Sequence, residues 1–367
     1  MKERKRLSLP GVAPAWLNED EERRERWAYL TEDIKDDLLR RQVETMLDNE
    51  AWYMDYLEET SQTSNVGTFT TFAFPLVRRI YPKLIATELV SVQPMTQPTG
   101  KIFYLDFKYN TGGQRIDTNP DKTYANATEG GAVKEINFDI TSVTVEAGEK
   151  KLKAKWTIEA QQDLMAYHGL DAETELMGVC GDEITREIDR DIIDDVVAQA
   201  SAGNVNWSKT IPTTAPWNVL DPKVYKETLY DAIIDANNMI FKKRYRNASW
   251  IVADPDTCTR FEKLEKFKLF EGADDATMNM GVIRFGTLAN KYRVYKDPWF
   301  AADKILLGYK GPTWLETGYV YAPYIPLYVT PLIIDPNDFI PRRGMMSRFA
   351  KKVVSGDFFA TVTLTGS

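Results

Sequence analysis

Residues 171–203 read DAETELMGVCGDEITREIDRDIIDDVVAQASAG, and their periodicity decides what kind of chain this is. Leu176, Cys180, Ile184, Ile188, Ile192, Val196 and Ala200 recur every four residues, and Ile193 and Val197 widen the stripe. Glu183, Glu187, Asp191, Asp194 and Asp195 fill much of the remaining surface, so the segment reads as one amphipathic helix. Asp171 supplies an N-cap, and Gly203 is expected to end the helix. At about 1.5 Å per residue it runs about 45 Å, as long as a small domain is wide. A helix of that length serves as a spine.

The helical reading extends back to residue 152, with a first piece ending at Gly169. Further upstream the period changes to two. Ile102, Tyr104 and 107–109 suggest a strand, and Ile136, Phe138, Ile140, Val143 and Val145 its return partner. The Gly-, Thr- and Asn-rich stretch 111–131 between them predicts a long hairpin whose tip serves a function or meets another chain. Near the N-terminus a helical pattern covers 31–59, with Ile34, Leu38, Leu39, Val43, Met46, Leu47, Ala51, Met54 and Leu57 on its apolar face. Downstream, Asp221-Pro222 and Asp254-Pro255 each place a capping residue before a proline and open helices to about residues 243 and 264. Strands are expected at 249–253, 292–295, 304–309 and 319–329. The expected class is α+β, with two elements that stand apart from any core of their own.

Composition narrows the function. With 46 basic and 54 acidic residues the formal charge is −8, which speaks against a dedicated nucleic-acid grip. No stretch approaches about 18 consecutive apolar residues, so no membrane span is expected. Leu7-Ser8-Leu9-Pro10 gives no apolar core to a secretory signal behind Lys2, Arg4, Lys5 and Arg6. Cys180 and Cys258 are expected as free thiols in a reducing cytoplasm. His168 is the single histidine, so multi-histidine metal sites and the usual zinc sets are out of reach. Its place before Gly169 suits a contact with the last helical carbonyls better than catalysis. Phosphate-cradling loops, the dinucleotide fingerprint and a nucleophile elbow are missing. The acidic run Asp189, Asp191, Asp194, Asp195 has the residue types of a divalent-cation site, but such runs are ordinarily a helix's solvated face. No catalytic, cofactor-binding or metal residue is therefore assigned, and an enzyme is not expected.

Against that background, three blocks resemble the major capsid proteins of tailed bacteriophages, in the branch like the T4 major head protein. The first is Phe74-Pro75-Leu76-Val77-Arg78-Arg79-Ile80-Tyr81-Pro82, continuing into Val92-Gln93-Pro94-Met95 and Pro98-Thr99-Gly100-Lys101-Ile102-Phe103. The second runs from 154 to 163 and through His168-Gly169-Leu170-Asp171-Ala172-Glu173 into the spine. The third joins Ala322-Pro323-Tyr324, Asp335-Pro336-Asn337-Asp338-Phe339 and Ser347-Arg348-Phe349-Ala350.

The resemblance implies an HK97-type capsid fold. Residues 1–65 would be an N-terminal arm, 66–94 the lead into the peripheral domain, 95–150 the E-loop hairpin and 151–214 the peripheral domain with its spine helix. Residues 215–325 would be the axial domain, and 326–367 the return to the peripheral domain. Subunits would form hexamers and pentamers closing an icosahedral or elongated shell around double-stranded DNA in the virion, assembled in the host cytoplasm. Vertex, portal, scaffolding and decoration proteins are the implied partners, and DNA is met without sequence preference. No cofactor is implied. The chain is shorter than the T4 protein, so inserted domains are expected to be absent. Leu57-Glu58-Glu59 fits the cleavage pattern of T4-like phages, yet removal of the arm is not expected.

Candidate subunit-interface residues are Leu39, Val43 and Leu47 on the arm helix, Arg78 and Arg79, Arg115, Lys122 and Tyr124 in the hairpin, and Arg342 and Arg343. Lys2, Arg4, Lys5 and Arg6 form a candidate DNA-facing cluster. The alternatives are an encapsulin-like shell around cargo enzymes and, from another class, a histidine-poor hydrolase or sugar-binding protein using the aromatic segment 314–328. The latter needs a pocket with convergent carboxylates.

Overall fold

A computed structural model of the chain describes residues 23–24, 26–28, 31, 34, 37–60, 84–109, 135–211, 222–269, 282–311, 318–334 and 340–366. The expected N-terminal helix is present as α1 (Asp37–Thr60). A short helix α2 (Ala86–Leu89) leads into β1 (Ser91–Val92) and then into the hairpin β2 (Thr99–Tyr109) and β3 (Ile136–Glu146). Pairing is antiparallel and unbroken, from Thr99 opposite Glu146 to Tyr109 opposite Ile136.

The next stretch departs from expectation. Residues 152–155, read as the start of the helical region, lie instead in strand β4 (Gly148–Lys155). Every second residue of that run is lysine or glutamate, and the sequence GEKKLKAK hides its alternation behind charge. Helix α3 (Ile158–His168) follows, capped by the Thr157 hydroxyl and closed by Gly169 at φ 64°, where a side chain would be strained. The spine is α4 (Ala172–Gln199), with the Asp171 carboxylate accepting from the Glu173 amide at its start. Gly203 does not end it; the helix stops four residues earlier, and Gly203 opens β5 (Gly203–Ser208).

Beyond lie α5 (Pro222–Arg244), β6 (Trp250–Ala253), α6 (Pro255–Glu262), β7 (Phe267–Leu269), β8 (Ile283–Leu288), β9 (Tyr292–Lys296) and β10 (Lys304–Gly308). The chain finishes with β11 (Tyr319–Val329), β12 (Ile333–Ile334), β13 (Pro341–Val353) and β14 (Phe359–Thr365). Sheet one has the order β1-β11-β13-β12, with β4 on the other side of β13; sheet two has the order β5-β14-β10-β6-β9-β8-β7.

Alternation along the strands explains how these pieces stack. In sheet two, Trp250, Val252, Tyr295 and Leu306 face the spine, while Ile251, Ala253, Val294, Ile305 and Leu307 face α5 and α6. In sheet one, Tyr319, Tyr321, Leu327 and Val329 face the spine, and Val320, Ala322, Ile325 and Tyr328 meet the base of the hairpin. The central strands of each sheet are covered on both faces, which is why they read as continuous apolar runs. The spine lies between the two sheets, and its four-residue stripe is what both bury. At Gly308 any Cβ would collide with the ring of Trp250, its cross-strand partner on β6, so the pairing of β6 and β10 favours glycine there.

Candidate functional site

The features that stand out from this stack are the hairpin, α1 and the outer face of sheet one. Among the described residues of the hairpin, the buried ones lie at its root. Ile102 and Val145 are buried against β11, the Ala147 amide donates to the Pro98 carbonyl at 2.8 Å, and Gln93 donates to the Phe103 carbonyl at 3.2 Å. Farther out, Phe103 is 41% exposed and Ile136 61% exposed. Eleven residues per strand at about 3.4 Å each carry this two-stranded ribbon about 37 Å from end to end. A lone two-stranded ribbon is marginal in water, so its outer part calls for a partner surface.

The arm helix behaves differently from expectation. Val43 and Leu47 have no exposed surface and, with Met46, join the core of this same chain; Leu39 is half-buried against it. The expectation that Val43 and Leu47 face a neighbouring subunit is therefore corrected. An apolar face seen in sequence carries no label for whose core it enters. Asn49 fastens the helix by donating to the Met95 carbonyl at 2.8 Å and the Tyr324 carbonyl at 3.0 Å, and Gln42 donates to the Val92 carbonyl at 3.2 Å. These amides were not singled out in sequence because nothing local marks them.

Arg343 is likewise an internal brace. Its guanidinium pairs with Glu173 at the start of the spine, and Nε donates to the Thr330 carbonyl at 3.0 Å. Both contacts lie within the subunit. Arg342, one residue earlier, projects from the opposite face of sheet one and is half-buried. Lys2, Arg4, Lys5, Arg6, Arg78, Arg79, Arg115, Lys122 and Tyr124 lie outside the described residues.

The acidic run of the spine is committed to folding. Asp191 pairs with Lys150 at 2.8 Å, Asp195 pairs with Lys351 at 2.8 Å and accepts from the Tyr319 hydroxyl at 3.0 Å, and Asp194 pairs with Arg190. Burial, with the Asp195 carboxylate beside it, pushes the Tyr319 hydroxyl far above its ordinary range. Asp189 is buried and accepts from the Ala86 amide at 3.1 Å and the Ile85 amide at 3.4 Å, tying the spine to the start of α2. Burial pushes its carboxyl up to about 7, against the two amides that favour the charged form. Among the described residues no group of three or more potential ligands could hold a metal ion. Both cysteines are free and buried, and His168 is exposed at the end of α3.

A cleft of about 1530 Å³ opens between α1, the hairpin root and the end of sheet two. Its charged lining is Arg41, Lys101, Lys291, Arg293 and Lys310 against one carboxylate, Glu88, which accepts from the Tyr295 hydroxyl. The described part of the aromatic segment is core: Tyr319 and Tyr321 are closed off and Tyr324 and Tyr328 nearly so. That described part offers no stacking platform.

Comparisons with known proteins point one way. The profile of the family described as major capsid protein Gp23 matches residues 66–131 and 122–366. The major capsid protein of Vibrio phage KVP40 is 30% identical over 235 residues, covering 60% of this chain and 45% of that protein. That of Enterobacteria phage T4 is 30% identical over 231 residues, covering 59% and 44%. That of Serratia phage KSP90 is 24% identical over 414 aligned positions, covering 94% and 90%. The chain thus spans about half the length of the T4 and KVP40 relatives that it matches. A solved capsid of an empty GTA particle superposes with a TM-score of 0.49 at 15% identity, covering 77% of this chain and 90% of that one.

Proposed function

The chain belongs to the major capsid protein family Gp23, and on that premise we propose that it is the repeating subunit of a closed shell of HK97-type plan enclosing the double-stranded DNA of a tailed phage. One observation carries the assembly mechanism: a ribbon of eleven paired residues per strand has its described buried residues, Ile102 and Val145, at its root and exposes Phe103 and Ile136 beyond it. Laid over an adjacent subunit, such a ribbon exchanges exposed apolar surface for buried contact, and the sum over a shell is large. In this plan residues 1–65 are the arm, 95–150 the E-loop, and 151–214 with 326–367 the peripheral domain. Residues 66–94 lead into that domain, and 215–325 form the axial domain around capsomer centres. The arm contributes through its own chain's core, since α1 closes the spine side of β11.

The net charge of −8 suits a container that must hold DNA without gripping it. Hexamers and pentamers, assembly in the host cytoplasm, and vertex, portal, scaffolding and decoration partners belong to the same proposal. Its test is the mass of the protein expressed alone, by light scattering after sizing chromatography. Particles many times the 42.0 kDa subunit support the reading, and a monomer that persists on concentration refutes it.

A further inference from the structure

The cleft between α1, the hairpin root and sheet two has the shape and the polar groups of a seat for an extended strand. Thr99, Gly100, Lys101, Ile102 and Phe103 of β2 all line it, and among the described residues β3 contributes Thr144 alone. Among those residues β2 pairs with β3 and with no other strand, so the cleft follows the open edge of β2. That edge already attracts a donor, since the Gln93 side chain donates to the Phe103 carbonyl at 3.2 Å. An open edge is a template for pairing with another chain, and a two-stranded ribbon gains stability from a third strand.

The charge of the cleft is one-sided. Its carboxylate, Glu88, is engaged by the Tyr295 hydroxyl. Of its cations, Arg41 shares Asp37 at 3.4 Å and the Lys310 ammonium donates to the Thr87 carbonyl. Lys101 and Arg293 are exposed and have no ion pair among the described residues. Lys101 and Phe103 stand two apart on one face of β2, so an added strand meets a cation and an exposed aromatic ring at alternate positions. A phosphate backbone would answer the cations and leave the strand edge unpaired; a peptide backbone with acidic side chains answers both. The described edge strands of this chain do not supply that complement. β1, β5, β7 and β12 carry no carboxylate, and β4 sets four lysines against Glu149. In β3, Asp139 and Glu146 lie an odd number of positions apart, which gives no alternation of acids.

We propose that this cleft takes an extended acidic segment of a separate partner protein, added to β2 as a third strand of the hairpin. Alternate residues of that segment set carboxylates against Lys101 and Arg293 and an apolar side chain against Phe103. The proposal goes beyond the shell reading, because it assigns a surface that the subunit offers to something other than its own copies. Main-chain hydrogen bonds supply the affinity, the alternate side chains supply the specificity, and the charge contribution is screened by salt.

The test uses the full chain and a fluorescein-labelled octapeptide in which glutamate and valine take turns, separated by threonine. Saturable binding is expected by fluorescence anisotropy. K101E/R293E is expected to weaken it at least about tenfold while the melting temperature of the chain stays unchanged. The same peptide N-methylated at every residue keeps its charge and cannot donate to a strand edge, so it is expected to bind at least about tenfold more weakly. No binding to the wild type, or equal binding by K101E/R293E or of the N-methylated peptide, overturns the proposal. A duplex oligonucleotide that displaces the labelled peptide as well as the unlabelled peptide does assigns the cleft to phosphate and overturns it too. Loss of self-association in K101E/R293E, with no peptide bound by the wild type, gives the cleft to a second copy and likewise overturns it.

Discussion

Asp189 is the residue whose chemistry is most exposed to test. Its carboxyl sits near 7 in the folded protein against about 3.9 unfolded, so the native state binds the proton more tightly. The sign follows: its contribution is fully present below about pH 4 and is lost as the pH rises through 7. Urea midpoints of the wild type and D189N should therefore diverge with pH, the wild type losing ground relative to the variant between pH 5.5 and 8. Parallel curves would mean that Asp189 is ionised throughout. Leu47 makes a different test. Fully buried beside Val43 and Met46, it should cost about 2–5 kcal/mol of subunit stability when cut to alanine. An interface residue would instead leave the subunit stable and weaken only assembly. Sequence showed Leu47 as apolar and helical but could not show which surface it meets. Asp189 read as one more solvated acid because its partners, two backbone amides about a hundred residues away, have no sequence signal.

At the level of elements, the periodic ones were legible and the charged or uniformly buried ones less so. The spine, the hairpin and the proline-capped helices α5 and α6 follow from apolar spacing and capping residues. Strand β4 was hidden because its outward face is lysine and its partner β13 comes almost two hundred residues later. Non-local pairing leaves no local trace. Likewise β5 and β14 lie parallel across the molecule, and their pairing depends on α5 packing over both. Among candidate interface residues, chemistry was legible but ownership was not: Arg343 braces its own spine, whereas Arg342, one position away, faces outward. The hairpin yields the element-scale prediction. Shortening 111–131 to a tight turn should leave the subunit's melting temperature unchanged and lower the yield of intact particles severalfold. Particles of undiminished stability in dissociating urea would show that the ribbon is not a clamp.

For the whole molecule, the layering makes the arm inseparable from the body. Deleting residues 1–60 removes α1 and its contribution of Val43, Met46 and Leu47 to the shared core, together with the Asn49 bonds to Met95 and Tyr324. The truncated chain is expected to be insoluble or to melt far below the full chain. A soluble truncated subunit that melts normally would mean that α1 is an appendage. The central claim concerns the ribbon and the neighbour. Its most direct measurement is an electron cryo-microscopy reconstruction of particles formed by the protein expressed alone. The account predicts a closed shell in which the hairpin of each subunit crosses onto an adjacent one, with Ile136 buried there. A shell in which every hairpin folds back over its own sheet one, or a protein that forms no particles, would contradict it.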